Sequence, residues 1–428
     1  MTKKATSSFR MVALDLDGTL LHSNHQMSDA TVEYLRYLDE KGFVIAFATG
    51  RSAPTVYEHV IRLNLPHPLP VVCSNGAQGL LLQPSVSTMH IAAMHSDTTT
   101  IGTTGGADHA DTINSNHEQR SDNVNTTVAV ATSSTVQSVP SCRPSMVHST
   151  HTLFSIPVPE LVARQTIALA QSLGHVTQYY VGDAIYANPT TPQHLVYTQR
   201  YSTLTGSRTE HVIPVVQRRG CSNYQDDDDH DDDDDDHDRD DGNYFLNTML
   251  SKGLPTKQLV LFPEDQQDAA MEAFETMVSS FKNKDQDQQP LATIVRGSLG
   301  WFLEVLHPDV TKGSGLQRLL EAEYQSQWYY DKCNNQNITT NNNTTTNNLN
   351  LESVVAFGDA DNDLEFLQMA GRGIAMKNGR QVCKDVADEI TEYTNDDDGV
   401  IKTLQKMEAQ GLLLFSKSAS TTEATVVS

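Results

Sequence analysis

The sequence predicts an α/β protein whose core is a doubly wound parallel sheet, with a large second α/β module inserted into it. Three observations carry this reading. Short apolar runs alternate with helix-period segments from Met11 to Asn75. Two more apolar runs, Ser353 to Gly358 and Gly373 to Met376, follow more than 200 residues later. Between them lies patterned sequence broken by tracts with no apolar periodicity at all.

Met11-Val-Ala-Leu-Asp15 is the first strand, a short apolar run ending in an acid. Ser28 is placed to cap a helix that carries Val32, Leu35 and Leu38 on one face and is closed by Gly42. Phe43 to Thr49 is continuously apolar, as a strand covered on both faces must be. A second helix carries Val56, Val60, Ile61 and Leu63, and Pro70 to Asn75 supplies the third strand. Strand–helix–strand–helix–strand order with right-handed crossovers makes the sheet parallel. The late strand Ser353 to Gly358 is followed by a helix with Leu364, Leu367 and Met369, then by the strand Gly373 to Met376. The core is therefore split between residues 1–90 and 307–415, and residues 91–306 form the inserted module, with helices at Pro159 to Gly174 and Glu264 to Phe281. Three low-complexity tracts, near 96–150, 222–243 and 334–350, are expected to be disordered because they cannot bury enough apolar surface to offset ordering entropy. Residues 416–428 read as a loose tail.

A length of 428 residues gives two domains as the prior. Thirty Lys and Arg against 54 Asp and Glu leave a net charge of −24, which argues against nucleic acid or an anionic membrane as the partner. Half of that charge sits between Asp226 and Asp241, where 13 aspartates face one arginine. That tract, with His230 and His237, lacks the glycine and the spacing of a calcium loop and reads as a solvated, self-repelling segment. Five scattered cysteines without a CxxC pair point to reduced thiols. With neither an apolar leader nor a membrane-length apolar stretch, the expected location is cytoplasmic.

Ligands of such sheets bind beyond the carboxyl ends of the strands. Strand one ends in Asp15-Leu-Asp17-Gly-Thr19, strand two in Thr49-Gly-Arg51, and strand three in Ser74-Asn75-Gly76. The late strand ends in Gly358-Asp359-Ala-Asp361-Asn362-Asp363. Alone, an Asp-X-Asp marks a turn and Thr-Gly-Arg means little. Gathered at one rim, the carboxylates would repel unless a hard cation lay among them, and magnesium suits oxygen donors that leave room for a phosphate.

These residues, with Lys312-Gly313, Ala370 to Met376 and Asp397-Asp-Gly-Val400, resemble the haloacid dehalogenase-like (HAD) hydrolase superfamily, specifically its Cof-type phosphatase branch. The resemblance implies a Rossmann-like core with an inserted cap and a Mg2+-dependent phosphatase acting on a small phosphorylated metabolite, a sugar phosphate first. It implies Asp15 as the nucleophile that becomes an aspartyl phosphate and Asp17 as general acid and base, its pKa raised by neighbouring carboxylates. Lys312 would neutralise charge, while Thr49 and Gly50 bind phosphoryl oxygens and Asn362 reaches the phosphate. Thr19 would support the nucleophile loop. Arg51, Asn75 and Gly76 would meet the substrate body at the rim. The metal ligands would be Asp15, the Asp17 main-chain carbonyl and Asp359, with Asp363 behind them orienting Lys312 or a bound water. Two alternatives share the core, a hexose phosphomutase and a sucrose-phosphate-type phosphatase. A third, of another class, is an idle scaffold that recruits partners through its acidic and Asn/Thr tracts.

Overall fold

The two core stretches meet in one eight-stranded sheet. Its spatial order is β14 (Glu389–Ile390), β13 (Arg372–Ala375), β12 (Val354–Gly358), β1 (Met11–Leu14), β2 (Val44–Ala48), β3 (Leu69–Cys73), β4 (Gln78–Pro84) and β5 (Val147–Ser155). The computed structural model describes residues 8–84, 147–204, 212–215, 244–281, 289–297, 300–322 and 349–415. The six strands from β14 to β3 are parallel, and β4 and β5 extend the sheet antiparallel. Every residue of β1, β2, β3 and β12 is buried, because helices cover both faces. Val12, Leu14, Ile45 and Phe47 pack on one side with Leu35, Leu38, Val56, Val60 and Leu404. Met11, Ala13, Val44 and Ala46 pack on the other with Leu316, Leu319, Phe366 and Leu367.

A second, six-stranded sheet has the order β10 (Thr293–Arg296), β11 (Phe302–Leu306), β9 (Lys257–Leu261), β6 (Val176–Val181), β7 (Ala184–Ala187) and β8 (Val212–Pro214). It is antiparallel except for the β7–β8 pair. Val260, Leu303 and Val305 cover one face against the helices Glu160–Ser172 and Gln267–Ser280. The alternate residues Lys257, Leu259 and Leu261 of β9 point to the opposite face. Both sheets lie in one contact unit, Met1–Pro84 with Val147–Ser428, and the remainder of the chain is outside the described residues.

Two expectations about boundaries change. Strand β5, drawn from sequence partly as a patternless tract and wholly within the inserted module, joins the first sheet instead. Pairing satisfies the backbone groups of β4 and β5 alike, a gain that a Ser/Thr/His-rich composition does not advertise. At the other end, Leu349 is buried in the core and the Asn350 side chain accepts a hydrogen bond from the Ser353 amide at 3.1 Å, so the third tract stops short of them. Residues 96–146, 222–243, 334–348 and 416–428 lie outside the described residues. Among those described, no helix is long and apolar enough to cross a membrane.

Candidate active site

Strand order places β1 between β12 and β2, so the chain leaves β1 on one side and returns on the other. That is the switch point at which an open parallel sheet forms a crevice beyond its carboxyl ends. Asp15 follows β1 there and Asp359 follows β12. A cavity of about 260 Å³ opens over Asp15, lined also by Asp17, Thr49, Gly50, Arg51, Lys312 and Asn362 from the first sheet's rim.

Lys312 is the first residue of the helix Lys312–Glu321, whose start is set by a capping box between Thr311 and Ser314. A cation is disfavoured by the dipole at a helix N-terminus, so its charge must be met from outside. It is met twice. Lys312 Nζ donates to Asp15 Oδ1 at 2.6 Å and to Asp363 Oδ1 at 2.7 Å, with all three side chains buried. Burial opposes the lysine charge, yet the two carboxylates hold the ammonium well above its usual pKa. Asp363 spends its other oxygen on the amides of Asp359 and Ala360, both at 3.0 Å.

Asp15, Asp359 and Asp363 bring carboxylate oxygens within 4.8 Å of one another. Burial raises Asp15 well above the ordinary carboxylate range, against the pull of Lys312. Burial, aided by Asp363, pushes Asp359 up to about 6. Three carboxylates against one lysine leave two negative charges, which a hard divalent cation would neutralise. The donor set fits magnesium, being all oxygen with no thiolate or imidazole. Room is kept for Asp359 by Gly18, where a Cβ would come within 2.4 Å of Asp359 Oδ2. Thr19 Oγ1 donates to Asp359 Oδ1 at 2.9 Å, so its contact is with the acid rather than the cavity.

Asp17 departs from expectation. Arg51 Nε donates to its Oδ2 at 2.7 Å and Nη2 to its Oδ1 at 2.6 Å, a bidentate pair. Desolvation beside the buried Arg51 works against the charge of the half-exposed Asp17, but the Arg51 and His25 contacts hold its pKa well below the usual range. The sequence reading had neighbouring carboxylates raising it; instead a guanidinium, far away in the chain, dominates. Arg51 is itself buried, its Nη1 donating to the Thr55 carbonyl at 3.3 Å.

Asn75 and Gly76 were expected at the substrate rim, but both are buried and neither lines the cavity. Asn75 accepts from Asn362 Nδ2 at 2.9 Å and donates to Glu304 Oε2 at 2.7 Å. Gly76, at φ +107°, lies so close to the Thr311 carbonyl that a Cβ would sit 2.0 Å from it. Gly76 thus permits the close approach of the Lys312 helix to the third strand's loop.

Sequence reasoning missed His25, Tyr201, Phe302 and Glu304, which complete the cavity wall. It also missed Lys257, which is buried and donates to the Gly50 carbonyl at 3.0 Å. A signal existed for two of them. Glu304 is a charged residue inside the otherwise apolar run of β11, and Lys257 heads β9, a strand buried at every position, where an unmatched charge is costly. His25 and Tyr201 carried no such mark.

A family model described as haloacid dehalogenase-like hydrolase matches residues 12–94 and 335–404. The 5-amino-6-(5-phospho-D-ribitylamino)uracil phosphatase YitU of Bacillus subtilis (strain 168) is 49% identical over 55 residues, 13% of this chain and 20% of that protein. The chain thus spans about a fifth of the length of that curated relative. A haloacid dehalogenase-like hydrolase from Bacteroides thetaiotaomicron superposes with a TM-score of 0.54 at 18% identity, covering 94% of this chain and 100% of that one. A HAD subclass IIB sugar phosphatase gives a TM-score of 0.54 at 14% identity, with 94% and 100% covered. Both halves of the split core match the haloacid dehalogenase-like hydrolase model in sequence, and both sheets share the fold of the solved haloacid dehalogenase-like hydrolases.

Proposed function

We propose that this chain is a magnesium-dependent phosphatase that hydrolyses a small phosphorylated metabolite, sugar phosphates being the leading class, through an aspartyl phosphate. The observation that carries the reading is Lys312, buried between Asp15 and Asp363 at the floor of a cavity. Asp15 would attack phosphorus through one carboxylate oxygen, forming the acyl phosphate as the bond to the leaving oxygen breaks. Lys312 steadies the negative charge of the nucleophile and of the transferring group, and the Thr49 hydroxyl and Gly50 amide face the phosphoryl oxygens. Once the Arg51 pair loosens, Asp17 takes up a proton from solvent and delivers it to the leaving oxygen, and the resulting carboxylate then takes one from the water that opens the acyl phosphate. The ionised, Arg51-bound form of Asp17 suits the second role. Magnesium would be held by Asp15, Asp359 and the Asp17 carbonyl, with Asp363 behind, and when bound there supplies positive charge against the phosphoryl oxygens.

The second sheet is read as the cap that meets the substrate. Phe302 of that sheet and Tyr201, from the helix Pro192–Leu204 packed against it, offer aromatic faces, and Glu304 a hydrogen-bond acceptor, within a volume suited to a small ligand. Aromatic walls beside polar groups fit the apolar face and the hydroxyls of a sugar or polyol. The relatives' own substrates, a sugar phosphate and a phosphoribityl compound, support that class.

The test is a screen of phosphorylated metabolites with magnesium, measuring free phosphate, then repeated in excess chelator. Release of phosphate that chelation stops, with circular dichroism unchanged, is expected, since buried apolar strands hold the sheet without the ion. Transfer of phosphate within the substrate without release would favour the phosphomutase alternative. Full activity in chelator would remove the metal from the reading.

A further inference from the structure

We propose that Lys257 and Glu304, both from the second sheet, are positioning residues that set the geometry of the phosphate-binding loop Thr49–Arg51. The inference rests on the phosphatase reading of that loop.

Lys257 opens β9 and Glu304 is central in β11; both are buried, at 1% and 7% exposure. Lys257 Nζ donates to Glu304 Oε1 at 3.3 Å and to the Gly50 carbonyl at 3.0 Å, and lies 4.8 Å from the Tyr180 ring centroid. A buried ion pair is weak support for stability, because desolvation consumes most of the attraction. Its partners indicate another use.

The Gly50 carbonyl and the Arg51 amide belong to one planar trans peptide and point in opposite directions. Lys257 holds the carbonyl, so the amide is turned the other way, and it donates to Thr49 Oγ1 at 3.1 Å. A hydroxyl that accepts that bond keeps its own proton to donate to a phosphoryl oxygen. The preceding peptide is held in the same manner. The Asn75 amide donates to the Thr49 carbonyl at 3.1 Å, which turns the Gly50 amide away from Asn75.

Glu304 fixes Asn75 in turn. Its Oε2 accepts from Asn75 Nδ2 at 2.7 Å, which leaves Asn75 Oδ1 to accept from Asn362 at 2.9 Å. That same oxygen lies where a Cβ on Gly50 would approach within 2.9 Å. Two charged side chains of the second sheet thereby hold loops after three strands of the first, at Gly50, Asn75 and Asn362. The phosphate loop is in register only while the second sheet is seated on it.

The test compares Lys257→Met, Lys257→Arg and the double variant Lys257→Met/Glu304→Gln with the wild type. p-Nitrophenyl phosphate is the substrate and inorganic orthovanadate the phosphate-site probe. The double variant leaves no unpaired buried carboxylate, so it folds even if Lys257→Met does not. The expected result is that kcat/KM falls roughly 10- to 100-fold and vanadate inhibition weakens about tenfold in Lys257→Met or the double variant. Lys257→Arg, which keeps a donor for the Gly50 carbonyl, recovers most of both. Folded variants with wild-type kcat and vanadate inhibition overturn the inference and leave the phosphatase reading standing. A wild type that neither hydrolyses phosphate esters nor binds vanadate overturns both.

Discussion

Arg51 grips Asp17 with two parallel hydrogen bonds, 2.7 Å from Nε to Oδ2 and 2.6 Å from Nη2 to Oδ1, although 34 residues separate them. The guanidinium is buried while the Asp17 side chain is 46% exposed, so the protein supplies a fixed fork and the carboxylate comes to it. Lysine cannot reproduce the fork, because its ammonium is a single point donor on a flexible stem. In Arg51→Lys, kcat is expected to fall at least about tenfold, with a smaller change in KM, as Asp17 loses its orientation. Steady-state kinetics on the folded variant check this, and an unchanged kcat would make the pair merely structural.

Asp15→Asn is nearly isosteric and removes a buried charge that burial already disfavours. The variant is therefore expected to fold at least as well as the parent. As the amide is no anionic nucleophile, phosphate release should drop by roughly 1,000-fold or more. Retention of more than a few per cent of the rate, an order-of-magnitude bound, would rule out covalent catalysis at this residue.

Gly18→Ala probes the metal site without touching a carboxylate. At φ +71° an alanine is strained by about 1 kcal/mol. Its Cβ would also press on Asp359 Oδ2 from 2.4 Å, forcing the carboxylate to move. Half-saturating magnesium in an activity titration should rise about tenfold, while kcat at saturating metal changes less. An unaltered magnesium requirement would show that Asp359 does not hold the ion.

His59 is fully buried and its Nε2 lies 3.5 Å from Arg51 Nη1, an arrangement that needs the neutral ring as acceptor. Burial, then the Arg51 charge, depresses its pKa to about 3 from the ordinary 6.5. The unfolded chain thus binds a proton below pH 6.5 that the folded chain refuses until near pH 3. Stability from this group is complete at pH 7.5 and falls as pH drops, by about 2 kcal/mol at pH 5. Urea unfolding of His59→Gln across pH 7.5 to 5 should lack that share of the slope. If variant and parent lose stability in parallel, the ring is not held neutral.

The strands and the rim motifs were legible because they depend on neighbours in sequence. The short apolar runs of β1, β2, β3 and β12 can be covered only on both faces, and Asp15, Thr49 and Asp359 follow such runs directly. The capping of Asp29–Glu40 by Ser28 was likewise local. Pairing was a different matter. Which acid Arg51 meets, and hence which way the Asp17 pKa moves, depends on loops after two different strands. The contact of Glu304 with Asn75 spans 229 residues and two sheets. Strand β5 became a strand only because β4 offered it an edge. Local patterning determines where a strand ends and what it carries there, since that requires only the burial of its own side chains. What those residues touch, and so their charge and orientation, was decided by the packing of one sheet against the other, because hydrogen bonds and Coulomb attraction act through space and not along the chain.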